Sequence, residues 1–266
     1  MRRQRGSSKR NYMILDLFKL DGKVALVTGA DKGLGQGLAL ALAEAGADVI
    51  GLSRSDSNTT AESIRALGRQ YHALSYDLQT TNADALQNII HEAAKQFSRL
   101  DILVNNAGTI RRGPAMDFSE ADWDDVIQVN LKSAFFLSQA AARLMVSQGS
   151  GKIINIASML SFQGGINVIS YAAAKSALAG ITRGLANEWA KHNINVNAIA
   201  PGYMATDNTA VLRSDPNRAP AILDRIPAGR WGTPDDLKGV VVFLASSASD
   251  YMHGAIVPVD GGWLTR

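Results

Sequence analysis

From about residue 20 to its end, the chain switches repeatedly between a strand-like and a helix-like hydrophobic period. No other feature constrains its fold as much. Strand-like runs fall at 23–28 (KVALVT), 48–53 (DVIGLS), 71–76, 101–105 (DILVN), 152–157 (KIINIA), 195–200 and 255–259. Helical patterns lie between them, at 33–45, 60–67, 84–97, 120–147, 170–191 and 234–245. Gly46 and Gly68 are stop signals for the first two. Ser119-Glu120-Ala121-Asp122 reads as a capping box that opens one long helix. Thr233-Pro234-Asp235-Asp236 supplies an N-cap, a proline at the first helical position and two acids in the first turn. Strands that alternate with helices through short connections build a parallel sheet with helices on both faces.

Size and charge narrow the options. The 266 residues suffice for one large α/β domain, and 46% hydrophobic content supports a substantial core. No linker-like shift in composition occurs after residue 20, so 13–266 reads as a single domain. Residues 1–12 carry Arg2, Arg3, Arg5, Lys9 and Arg10 and no acid. They lack the apolar stretch of a secretory signal and are expected to be a disordered extension. Setting those five aside leaves 22 of the 27 bases against 24 acids, a net charge of −2, so no basic stripe for nucleic acid is expected. No apolar run approaches the roughly 20 residues that cross a bilayer, which gives no membrane partner. The absence of cysteine excludes disulfides and thiolate metal sites and fits a cytoplasmic location. His72, His91, His192 and His253 are scattered without ligand spacing, so no metal site is expected. One stretch, about 203–232, has no clean period and carries Pro216, Pro220 and Pro227; it reads as an irregular substrate loop or lid.

Two motifs carry chemistry. Thr28-Gly29-Ala30-Asp31-Lys32-Gly33-Leu34-Gly35 joins the first strand to the first helix. Glycines there let the backbone turn sharply and approach a pyrophosphate, which the helix N-terminus attracts. The expected fold is therefore a Rossmann-like doubly wound α/β sheet of seven strands that binds a dinucleotide. At the end of the second strand an acid would hold the adenosine ribose 2′-hydroxyl, but Ser53 occupies that position and Arg54 follows. Arg54 and Lys32 suit a 2′-phosphate, so the cofactor is NADP(H) or NAD(H), with NADP(H) favoured. Asp77 and Leu78, after the third strand, are placed for the adenine edge. The small-residue turn Asn105-Asn106-Ala107-Gly108 ends the fourth strand and is placed against the cofactor. The second motif is Tyr171 and Lys175, which are one helical turn apart on the same face. A neighbouring cation favours the phenolate, so the pair suits proton exchange with an alcohol or carbonyl oxygen. Ser158 stands thirteen residues upstream, at the end of the fifth strand.

Together with Asn130, Pro201-Gly202 and Thr206, these motifs stand in the order and spacing of the short-chain dehydrogenase/reductase family, which the chain resembles from about residue 20 to its C-terminus. The resemblance implies that Tyr171 is the general acid or base and that Lys175 lowers its pKa and holds the nicotinamide ribose. It implies that Ser158 orients the reacting oxygen, that Asn130 anchors a water in a proton relay, and that Thr206 and Met204 fix the carboxamide. It also implies a homotetramer.

A closer resemblance lies in NNAGTIRRGPAMDFSEADWDDV, INIASMLSFQGG, NEWAKHNINVNAIAPGYMAT, ILDRIPAGRWG and VDGGW. These segments are similar to the 2-dehydro-3-deoxy-D-gluconate 5-dehydrogenase branch of the family. That branch acts on small keto sugar acids from pectin or alginate uronates, interconverting 2,5-diketo-3-deoxygluconate and 2-keto-3-deoxygluconate. Arg111 and Arg112 are then candidates for the substrate carboxylate and Gln163 for its hydroxyls. Alternative readings are a gluconate 5-dehydrogenase, a 3-oxoacyl carrier-protein reductase, and a binding module without chemistry. The last would be marked by loss of Tyr171, Lys175 or Ser158, and all three are present.

Overall fold

The structure, a computed structural model, describes residues 13–266; the basic extension 1–12 lies outside the described residues. Seven strands form one parallel sheet: β1 (Val24–Thr28), β2 (Asp48–Ser53), β3 (Tyr71–Ser75), β4 (Ile102–Asn105), β5 (Gly151–Ile156), β6 (Ile194–Pro201) and β7 (Ile256–Val259). Their spatial order is β3-β2-β1-β4-β5-β6-β7. Every pairing is parallel, with Thr28 opposite Leu52 and Val104 opposite Ile154. The sequence pattern read this sheet correctly.

Successive residues of β1 point to opposite faces, and each face has its own core. Ala25 and Val27 pack with Leu38, Ala39 and Leu42 of α1 (Gly33–Glu44), Ala61 and Ile64 of α2 (Asn58–Ala66), and Val241 and Leu244 of α9 (Lys238–Ala245). Val24 and Leu26 pack with Leu86, Ile89 and Ile90 of α3 (Ala83–Phe97), Leu137 and Met145 of α5 (Ser133–Gln148), and Leu185 of α6 (Ile169–Trp189). Burial on both sides explains why β1 is apolar throughout rather than alternating.

Two expectations need correction. The helix expected over 120–147 is interrupted. Ser119 caps α4 (Glu120–Ile127) by accepting from the Asp122 amide, but a π-helical turn, Gln128–Lys132, intervenes before α5. The segment about 203–232 is not irregular throughout, because it holds α7 (Ala210–Ser214) and α8 (Arg218–Arg225). Its prolines hid them. Pro220 sits in the first turn of α8, where its missing N–H costs little, and Pro227 lies just beyond the helix end. The buried face of α8 is Ile222, followed by Ile226 at its C-cap. Both join Met159, Leu160, Val168 and Trp263 in a third apolar cluster. Among the described residues, no helix is long and apolar enough to cross a membrane.

Candidate active site

The chain leaves β1 toward β2 and β3 on one side and later returns to place β4 on the other. The carboxyl ends of β1 and β4 therefore diverge into a crevice, the usual ligand position in open parallel sheets. The glycine turn lines one wall. Gly29 and Gly33 both have left-handed backbone (φ +67° and +57°). A Cβ on Gly35 would lie 1.9 Å from the Gly29 carbonyl oxygen, so only glycine closes the turn. Over Gly33 the nearest atom to a Cβ would be the Thr206 methyl, at 3.9 Å. Bare backbone there, leading into the α1 N-terminus, fits a pyrophosphate.

Side chains that sequence reasoning missed hold this wall. Thr28 Oγ1 accepts from the Asn106 and Ala107 amides at 2.9 and 2.8 Å. Asn106 Nδ2 donates to the Thr28 carbonyl at 2.9 Å. Thr60 Oγ1 donates to the Ala30 carbonyl at 2.9 Å. The doubled asparagine was a usable signal, but Thr60 gave none. The Asn105 side chain faces away from the crevice. Its Nδ2 donates to Asn155 Oδ1 at 2.8 Å and Ser138 Oγ at 2.9 Å, and Asn155 donates on to Thr182 at 2.9 Å. This buried ladder ties β4 and β5 to α5 and α6.

The two cations expected at a 2′-phosphate are both engaged. Lys32 Nζ lies 3.0 Å from Asp207, just past β6, and this partner raises its pKa. Arg54 Nη1 lies 3.8 Å from Asp77, a looser contact. Ser53 is buried and donates to the Ser55 carbonyl at 2.9 Å. Leu78 is buried in the core below. Pro201 ends β6, and a Cβ on Gly202 would lie 2.6 Å from the Asp260 Cα. Met204 pairs with Gly232 in an isolated parallel bridge. Thr206, the N-cap of the next turn, is thereby set beside the glycine wall.

Across the crevice, β5 ends and Ser158 begins a short turn, accepting from the Leu160 amide at 3.1 Å. The Ser161 hydroxyl donates to the Lys175 carbonyl at 2.7 Å, and Ser176 donates to the Leu160 carbonyl at 3.2 Å. These bonds dock α6 so that Tyr171 meets the Ser158 hydroxyl. Lys175 is 3% exposed; its Nζ donates to the Ile156 carbonyl at 2.5 Å and lies 5.5 Å from the Tyr171 ring centre.

The electrostatics correct the sequence argument. Burial is the largest effect on the Tyr171 phenol and pushes its pKa above the usual value. The Ser158 hydrogen bond and the charge of Arg112 oppose that rise. Lys175 itself, desolvated by burial, falls to about 8.

Asn130 sits in the π turn, and both ends of its amide clamp Thr109. Oδ1 accepts from the Thr109 amide at 2.7 Å, and Nδ2 donates to the Thr109 carbonyl at 2.8 Å. One donor and one acceptor of its side chain are thereby engaged. Gly108 lies against it, where a Cβ would approach Oδ1 to 3.1 Å. Arg111 is paired with α4, 3.0 Å from Asp125 and 3.3 Å from Asp122. Arg112 has no carboxylate within 4.0 Å among the described residues, and its charge reaches Tyr171. Gln163 accepts from Arg225 of α8 at 3.4 Å. Among the described residues, no cluster of His, Asp or Glu has the geometry of a metal site.

Residues 29–264 match the family described as enoyl-(acyl carrier protein) reductase. The chain is 61% identical over 255 residues to the 2-dehydro-3-deoxy-D-gluconate 5-dehydrogenase of Escherichia coli K12, covering 96% of this chain and all of that one. Among solved structures, it is 54% identical to a candidate 2-deoxy-D-gluconate 3-dehydrogenase from Agrobacterium tumefaciens with bound NADP. That match has a TM-score of 0.86 and covers 94% of this chain and all of that one. A gluconate 5-dehydrogenase from Burkholderia cenocepacia, in complex with NADP and tartrate, is 39% identical. Its TM-score is 0.91, over 96% of this chain and all of that one.

Proposed function

The chain belongs to the short-chain dehydrogenase/reductase family, and we propose that it is an oxidoreductase that moves hydride between NADP(H) and a small keto or hydroxy sugar acid. The preferred substrate pair is 2,5-diketo-3-deoxygluconate and 2-keto-3-deoxygluconate, or the related keto-uronate from alginate. One observation carries the reading. Ser158, Tyr171 and the buried Lys175 converge at the end of β5, across the crevice from the glycine turn. The 61% identity over 96% of this chain to a sugar-acid dehydrogenase supports this substrate class over the one in the broader family description.

The nicotinamide supplies or accepts the hydride when bound. The glycine turn and the α1 N-terminus would hold the pyrophosphate, with Asp31, Leu34, Ala107 and Gly108 lining the path and Thr206 and Met204 at the carboxamide. Arg54 and Lys32 would reach a 2′-phosphate once released from Asp77 and Asp207. Ser158 Oγ orients the substrate oxygen. The Tyr171 phenol gives that oxygen a proton during reduction and takes one back during oxidation. Lys175, a cation below about pH 8, stabilises the charge that develops on the phenol. Arg112 adds positive charge at the same mouth, which suits an acidic substrate. We further propose a homotetramer in the cytoplasm.

The test is cofactor oxidation, followed by its absorbance. The panel comprises 2,5-diketo-3-deoxygluconate, the alginate-derived keto-uronate, 5-ketogluconate and an acetoacetyl thioester, each with NADH and NADPH. Turnover of a sugar acid that Tyr171→Phe nearly abolishes, with dinucleotide binding retained, is the expected result. Undiminished activity in that variant would overturn the assignment, and preference for the thioester would favour the carrier-protein alternative.

A further inference from the structure

Resting on the sugar-acid reading above, we infer that Arg225 of α8 grips the substrate carboxylate from the loop side and makes the site selective for acids over neutral sugars. Ile222 and Ile226 are buried in the apolar cluster against which Tyr171 and Ile110 also pack. This fixes α8 over the surroundings of the reacting phenol. Arg225 lies between these two anchors in sequence, and its guanidinium carbon stacks 4.1 Å from the Trp263 ring centre. Trp263 is 4% exposed, so the platform is rigid. Stacking holds the guanidinium plane by its face and leaves its edge donors free. One of the five donors makes the long 3.4 Å contact to Gln163, five residues past Ser158. Among the described residues, no carboxylate lies within 4.0 Å of Arg225, whereas Lys32, Arg111 and Arg230 are each paired. The indole Nε1 of Trp263 is also buried without a partner, a further donor in the same cluster. A planar cation with one face desolvated and its edge open is matched by a carboxylate, which it can bind through two parallel hydrogen bonds. Arg112 approaches from the other loop and bears on the phenol. The two arginines thus divide the work, Arg112 on the reacting end and Arg225 on the acid end. Gln163, in contact with Arg225, is left to meet a hydroxyl.

The experiment compares the sugar acid with its own methyl ester, which removes the charge and keeps the rest of the molecule. In Arg225→Met, KM for the acid should rise about tenfold or more, the loss expected for a charge-assisted bidentate contact. KM for the ester, kcat and the dinucleotide Kd should stay near wild type, and Arg225→Lys should fall between. An acid-to-ester KM ratio in Arg225→Met equal to that of wild type would overturn the inference. If Arg225→Met does not fold, Arg225→Lys carries the test: a lowered acid preference supports the grip, and an unchanged one overturns it. A wild-type enzyme inactive on every sugar acid would instead remove the parent reading, and this inference with it.

Discussion

Replacing Lys175 by methionine should stabilise the ligand-free protein at neutral pH while removing its activity. An unfolded lysine titrates near its model value of 10.5, but burial brings Lys175 to about 8. Below pH 8 the folded protein therefore carries a proton at a cost of about 3 kcal/mol. No discount for solvent screening applies, because the side chain is 3% exposed. Between about pH 8 and 10.5 the unfolded chain binds the proton that the folded one has lost, so wild-type stability rises with pH across that window. Methionine has a similar shape and no charge. It leaves the Ile156 carbonyl without its donor, a loss of about 1–3 kcal/mol that does not depend on pH. Lys175→Met should then be more stable than wild type by about 1 kcal/mol at pH 7 and less stable by about 1 kcal/mol at pH 10. Urea denaturation of both proteins at the two pH values reads the difference directly, because other titrating groups are common to both. A stability difference that is the same at pH 7 and pH 10 would refute the argument.

Three further perturbations separate roles within the site. Arg54→Asp should lower NADPH affinity relative to NADH about tenfold or more, measured as the ratio of the two Kd values; an unchanged ratio would remove the ribose-phosphate role. Asn130→Ala leaves both Thr109 backbone groups unpaired and should cost about 2–4 kcal/mol in urea denaturation. A variant as stable as wild type would show that the clamp is replaceable. Arg112→Met removes a charge that lowers the Tyr171 pKa, so the pH dependence of alcohol oxidation should move to higher pH. Arg111→Met should leave that profile in place and affect stability alone, through Asp122 and Asp125.

The centre of the sheet was legible because strands such as β1 are buried on both faces and read as apolar runs, whereas the edge strands β3 and β7 are partly exposed; β2 runs over 48–53 as the pattern indicated. The glycine turn was legible because left-handed backbone and a 1.9 Å closest approach admit only glycine. What stayed hidden is pairing at long sequence separation. Lys32 and Arg54 read as free cations because nothing local announces Asp207 or Asp77 as their partners. Arg111 and Arg112 are adjacent and chemically equal in the sequence, and only the position of α4 turns one of them into a structural ion pair. Asn155 is a lone amide in an apolar strand, and its link from Asn105 to Thr182 needs three elements to be placed first. The π turn escaped because its sequence, QVNLK, continues a helical pattern and its distortion serves the Asn130 clamp.

The same limit explains why the sign of the phenol shift was misread. Spacing shows that Lys175 shares a pocket with Tyr171, but it does not show how dry that pocket is. Desolvation disfavours the charged form of each group, raising the phenol and lowering the ammonium. At neutral pH the protein therefore presents a protonated phenol over a protonated but weakened amine. That arrangement is poised to donate a proton to a carbonyl oxygen, and the Lys175 charge stabilises the phenolate left behind. Oxidation of the alcohol starts from the other protonation state, which burial makes scarce. On the proposed reading, alcohol oxidation is therefore expected to need more alkaline conditions than carbonyl reduction. A rate of alcohol oxidation that is flat between pH 7 and pH 10 would be incompatible with this partly buried phenol as the base.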